Sequence, residues 1–149
     1  MRTRVLCVAA AAAALLASSV VTTAFQQPPS TPPQGNGWVL GEDAATKKNP
    51  LTADDATLSK GKGIFKDKCQ KCHGASGKGD GPDADPDAQE DMDLTRASRA
   101  AKNSDGVIFY KAWNGRKKPK MPAVKDDLTK DQLWAVVAYV QTLRKPATP

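Results

Sequence analysis

The chain has 149 residues, a net charge of +6 and only 5% aromatic residues. That is one domain's worth of chain, with too modest an excess of charge for nucleic-acid binding. There are three cysteines and a single histidine, which leaves a structural zinc site one ligand short once a leader carrying Cys7 is removed.

The first 24 residues read as a secretory signal. Met1 to Arg4 is a positive n-region, Val5 to Ala17 is apolar, and Thr22-Thr23-Ala24 is a small-residue cleavage site. Cleavage there removes Cys7. It also removes Arg2 and Arg4, lowering the charge to +4. The alternative is an uncleaved anchor, because Val5 to Ala24 is just long enough to span a bilayer. Either route places the rest of the chain outside the cytoplasm: in the periplasm, or anchored to the membrane and facing it.

Residues 25–50 form a tether and lead-in. Phe25 to Gly37 holds four prolines and no charge, the composition of a polyproline-like linker. Trp38 to Pro50 is expected to be extended, with Trp38 either packed on the domain or exposed. Residues 51–145 form the folded domain, and 146–149 are a tail.

Thr52 to Asp55 predicts a helix start, with Leu58, Ile64 and Phe65 leading to Cys69. Gly61 and Gly63 inside this helix cost stability unless a close crossing requires them. Then comes Cys69-Gln70-Lys71-Cys72-His73, the attachment pattern for a c-type haem. Each thiol adds to one vinyl group, and the adjacent His73 reaches the iron from one side. A redox dithiol would instead be set in a βαβ unit, and no strand pattern surrounds this motif.

Gly74 to Pro82 predicts a tight loop, with the Pro82 carbonyl expected to accept from His73 Nδ1 and Pro86 as the alternative. Asp80 to Asp93 carries seven acids and no base, whereas Arg96 to Lys120 carries eight bases and one acid. This is either a solvated charged surface or a dipole that steers the protein onto a partner. Thr95 is expected to cap a helix over Arg96–Lys102, and Ser104 another over Asp105–Trp113, stopped by Asn114-Gly115. Arg116 to Pro122 is an irregular basic loop, and Trp113 and Arg116 are expected near the haem propionates. Thr129 to Gln132 is a capping box. It opens a last helix with Leu133, Val136, Val137, Val140 and Leu143 on one face, expected to pack on the first helix.

Beyond the leader only Met92 and Met121 can supply a thioether ligand to the iron. Met121, in the loop stiffened by Pro122, is the expected partner of His73, with Met92, a lysine or an open site as the alternatives.

Together Gly61 to Phe65, Cys69 to Gly74, Gly79 to Pro82, Asp105 to Val107, Asn114 to Arg116, Met121 to Ala123 and the last helix with Leu133-Trp134 and Ala138-Tyr139 resemble a bacterial, exported class I monohaem c-type cytochrome. The resemblance implies an all-α fold, the small cytochrome c fold, with N- and C-terminal helices packed across each other where Gly61 meets Tyr139 and with haem in the core. It implies one covalent haem c on Cys69 and Cys72, with His73 and Met121 on the iron, and electron shuttling between periplasmic or membrane redox partners. The chain is then a monomeric electron carrier and not an enzyme, with an acidic docking surface on its partner and an uncleaved N-terminus as one route to the membrane. The alternatives are a haem c subunit of a larger membrane or dehydrogenase complex, and a haem enzyme or gas sensor with a labile sixth ligand. The acidic segment Asp83 to Asp93 departs from the family pattern.

Overall fold

The computed structural model describes residues 37–100 and 102–144. The leader, the Pro-rich run 25–36 and the tail 146–149 lie outside them. Among the described residues there are six α-helices and no strand: α1 Asp55–Lys68, α2 Gln70–His73, α3 Gln89–Met92, α4 Ala97–Ala100, α5 Asp105–Asn114 and α6 Lys130–Thr142. None is long and apolar enough to cross a membrane.

Two helices carry the frame. α1 starts where the Asp54 carboxylate accepts from Thr57 N, and α6 starts in the expected capping box between Thr129 and Gln132. α6 buries every residue from Leu133 to Ala138, and Val140. Its most extensive packing is against α1. At the crossing, a Cβ on Gly61 would collide with the Ala135 carbonyl and come within 3.1 Å of the Tyr139 Cβ. The glycine therefore allows the helices to approach backbone to backbone, as the resemblance implied. Phe65 fills the space beside it, edge-on to Tyr139 at 5.4 Å. Gly63 has open space where its Cβ would be.

α5 closes the core from the side. Phe109 stacks on Trp134 at 4.2 Å and on Trp113 at 5.6 Å. Ser104 occupies the expected N-cap position of α5, but its hydroxyl donates to the Ala44 carbonyl instead of capping the helix. The helix predicted over Arg96–Lys102 is only the short α4. The reason is local: the Asp93 carboxylate accepts from both the backbone and the hydroxyl of Thr95, holding the expected cap in a turn.

Residues 38–50 fold back onto the helices. Asn49 donates from its side chain to the Trp134 carbonyl and from its backbone to Asp105. Tyr110 donates to Asp43, and Asn114 donates to the Val39 carbonyl. Trp38, Leu40 and Ala44 form a second small core, against which Val107, Tyr110 and Met121 pack.

Candidate haem site

The chain bends at Cys69. It closes α1 through Cys69 N to the Phe65 carbonyl at 2.8 Å, and its own carbonyl accepts from His73 N at 3.0 Å. Three positions therefore stand on one helical turn. Gly74 ends that turn at φ +75°, a conformation open to glycine and strained for other residues.

His73 Nδ1 lies 2.7 Å from the Met92 carbonyl. A carbonyl only accepts, so Nδ1 carries the proton and Nε2 keeps its lone pair, the state a metal ligand needs. Burial holds the ring's pKa below its ordinary value, partly offset by this hydrogen bond. The acceptor is thus Met92, and neither Pro82 nor Pro86. The chain leaves α2 in a tight turn and returns through the acidic segment, where the backbones of Lys78 and Asp93 form an isolated antiparallel bridge and Leu94 N donates to the Gly77 carbonyl at 2.7 Å. That return brings the end of α3 over the imidazole.

Cys69, His73 and Met121 line one cavity of about 210 Å³. Cys72 does not line it; its thiol lies 3.6 Å from the Asp83 carbonyl. Burial first, and Cys72 and Asp67 after it, push the Cys69 thiol up to about 12, so it is protonated at neutral pH. Met92 contributes its carbonyl to His73, and its side chain is not part of the cavity wall. Met121 is held by two backbone bonds with Arg116, of 2.8 and 2.9 Å, which close the loop into a short hairpin. Gly115 starts that loop at φ +66°, and a Cβ there would meet the backbone of Met121 and Ala123.

The rest of the wall has two characters. Phe65, Leu94, Ile108, Leu133, Val136 and Val140 make it apolar, while Arg99, Lys111, Arg116 and Arg144 make it cationic beside Asp91 and Asp93. Burial, with Arg116 and Arg99 nearby, holds the Lys111 ammonium below its ordinary value. Arg144 Nε is buried with no hydrogen-bond partner among the described residues. Apolar walls, an imidazole with a free Nε2, a thioether and converging cations fit a haem: the apolar residues would hold the macrocycle and the cations would offset its propionates. Among the described residues there is no group of three or more His, Cys, Asp and Glu that could hold a metal ion.

Several wall residues carry little signal in the sequence. Trp38 lines the cavity and lies under Arg116 at 4.3 Å and Lys111 at 5.2 Å; a lone tryptophan in a polar lead-in is its only signal. Of the two residues expected near the propionates, Arg116 lines the cavity and Trp113 stacks on Phe109 outside its lining. A larger cavity of about 610 Å³ shares Trp38, Arg99, Asn103 and Lys111 with this one. It contains none of Cys69, Cys72, His73 and Met121. The acidic and basic segments also meet here: Asp91 pairs with Arg99 at 2.9 Å and Arg116 at 3.5 Å. The charge asymmetry in sequence is therefore partly neutralised in space.

The family described as "Cytochrome c" matches residues 58–144. No curated protein matches the chain. Among solved structures, a chain of the Kuenenia stuttgartiensis reducing HAO-like protein complex is similar at 24% identity with a TM-score of 0.47, covering 64% of this chain and 47% of that one. The match over residues 58–144, on an all-α fold, shows that the chain belongs to the cytochrome c family, whose members carry covalently bound haem c and transfer electrons.

Proposed function

We propose that the protein is a single-electron carrier with one haem c joined to Cys69 and Cys72 and ligated by His73 and Met121. The observation that carries this is the shared cavity: Cys69, His73 and Met121 stand on its wall, and His73 Nδ1 donates its proton's hydrogen bond to the Met92 carbonyl. When bound, the haem supplies an iron that cycles between two oxidation states. The chain's own residues do the rest. His73 is locked in the tautomer that leaves Nε2 free. Met121 is anchored by the Arg116 backbone. The apolar wall excludes water and favours the less charged reduced state, and the four cations offset the propionates. Keeping both ligands in both states limits structural change during transfer.

The partner in this reading is a redox protein with an acidic docking surface, met outside the cytoplasm by a monomer. Exposed Lys117, Lys118 and Lys120 in the Met121 loop support that choice. The test is the near-infrared methionine–iron band of the oxidised protein, recorded for the wild type and Met121→Ala. The band is expected in the wild type and absent in the variant, and the reduced variant should bind carbon monoxide where the wild type resists it. A wild type without the band, or a variant that keeps it, would overturn the ligand assignment.

A further inference from the structure

We propose that Asp91 is a positioning residue that ties the His73 wall of the cavity to the Met121 wall; this rests on the ligation proposed above. Three observations meet at this one carboxylate. Its chain neighbour Met92 supplies the carbonyl that orients His73, at 2.7 Å from Nδ1. Its Oδ2 faces Arg116 Nη2 at 3.5 Å, and Arg116 is the residue whose N–H and carbonyl both pair with Met121. Its Oδ1 accepts from Arg99 Nη2 at 2.9 Å, fixing the end of α3 to α4. Asp91, Arg99, Arg116 and Met121 all line the same cavity.

The Arg116 end of this link is rigid. Its side chain is 10% exposed, it lies over the Trp38 ring at 4.3 Å, and its Nε donates to the Pro119 carbonyl at 3.0 Å. A shift of the carboxylate is therefore opposed on one side by a fixed guanidinium and passed on the other to Met92. The bland alternative is an ordinary surface ion pair, since the Asp91 side chain is 42% exposed and such pairs contribute little to stability. The two differ in what they move. A surface pair changes stability slightly and leaves both axial sides alone, whereas a positioning link changes both together.

The experiment uses the full-length holoprotein, comparing wild type, Asp91→Ala and Asp91→Glu, with Asp91→Asn read in the same way should the alanine variant not fold. The distal side is read by the carbon monoxide association rate of the reduced protein and by the near-infrared band. The proximal side is read by solvent exchange of the His73 Nδ1 proton, followed by NMR. Asp91→Ala is expected to raise both rates about tenfold or more, with Asp91→Glu, which keeps the charge, returning most of each. Unchanged rates, a change on one side only, or no rescue by glutamate would overturn the proposal. Met121→Ala is measured alongside: if it retains the near-infrared band, the ligation reading has failed. If it loses the band while Asp91→Ala behaves as wild type, only the link has failed.

Discussion

Gly61 on α1 lies directly against the backbone carbonyl of Ala135 on α6, with no room between them for a methyl group. Gly63, two residues on, faces open space. The two glycines sit in the same helix and carry the same propensity cost, so the difference between them is purely one of packing. Gly61→Ala must push the helices apart and is expected to cost about 1–3 kcal/mol, more if the α1–α6 crossing cannot shift. Gly63→Ala is expected to stabilise by about 0.5–1 kcal/mol, because alanine orders more cheaply in a helix. Urea unfolding of the holoprotein compares them. Equal effects of the same sign would show that the crossing does not depend on Gly61.

How much of the fold and the site can be read from sequence depends on how local each signal is. The capping box at Thr129, the α6 apolar face and the CxxCH turn depend on neighbours a few residues away, and all three stand where the sequence puts them. The acceptor for His73 departs from the expectation because the acidic segment doubles back over the imidazole, a path that no periodicity encodes. Thr95 does not cap a helix because the carboxylate two residues earlier competes for the same donors. Trp38, Arg99, Lys111 and Arg144 carry no signal that assigns them to the cavity, since they converge on it from segments far apart in the chain.

Trp38 tests whether the segment before α1 belongs to the folded unit. It is 7% exposed, packs with Leu40 and Ala44, and lies under two cations of the cavity wall. Trp38→Ala is expected to cost about 3 kcal/mol, the low end for truncating a buried aromatic, and to redden the tryptophan emission less than loss of the whole fold does. A change below about 0.5 kcal/mol, the range of ordinary surface substitutions, would return the segment to the status of a lead-in.

Asp91 gives the stability a pH dependence whose sign follows from its neighbours. The hydrogen bond from Arg99, and Arg116 after it, hold its carboxyl below the ordinary value of 3.8. A depressed folded-state pKa means that the unfolded chain binds the proton more readily, so the contribution is complete above 3.8 and is lost as pH falls through the lower folded-state value. Wild type and Asp91→Asn are therefore expected to differ at pH 6 by no more than about 1 kcal/mol, the scale of a partly exposed pair, and to converge at strongly acid pH. The check is a series of urea midpoints for the two proteins across pH. A gap that widens on acidification would contradict the sign.

The Met121 loop gives the last prediction, about rate instead of stability. Lys117 and Lys118 are exposed and lie between Arg116 and Met121, whose backbones pair, so their charges sit close to the proposed ligand without contributing to the cavity wall. Reversing both, as Lys117→Glu with Lys118→Glu, should leave the near-infrared band and the fold unchanged. It should slow electron transfer to an acidic redox partner by about tenfold or more at low salt. Salt screens charges separated by more than about 10 Å at 0.1 M, so the two proteins should converge as ionic strength rises. Stopped-flow reduction of an acidic acceptor protein across a salt series measures this directly. Rates that match at every ionic strength would place docking on another face. A difference that persists at high salt would mean that the substitutions act on the haem pocket itself and not on the encounter.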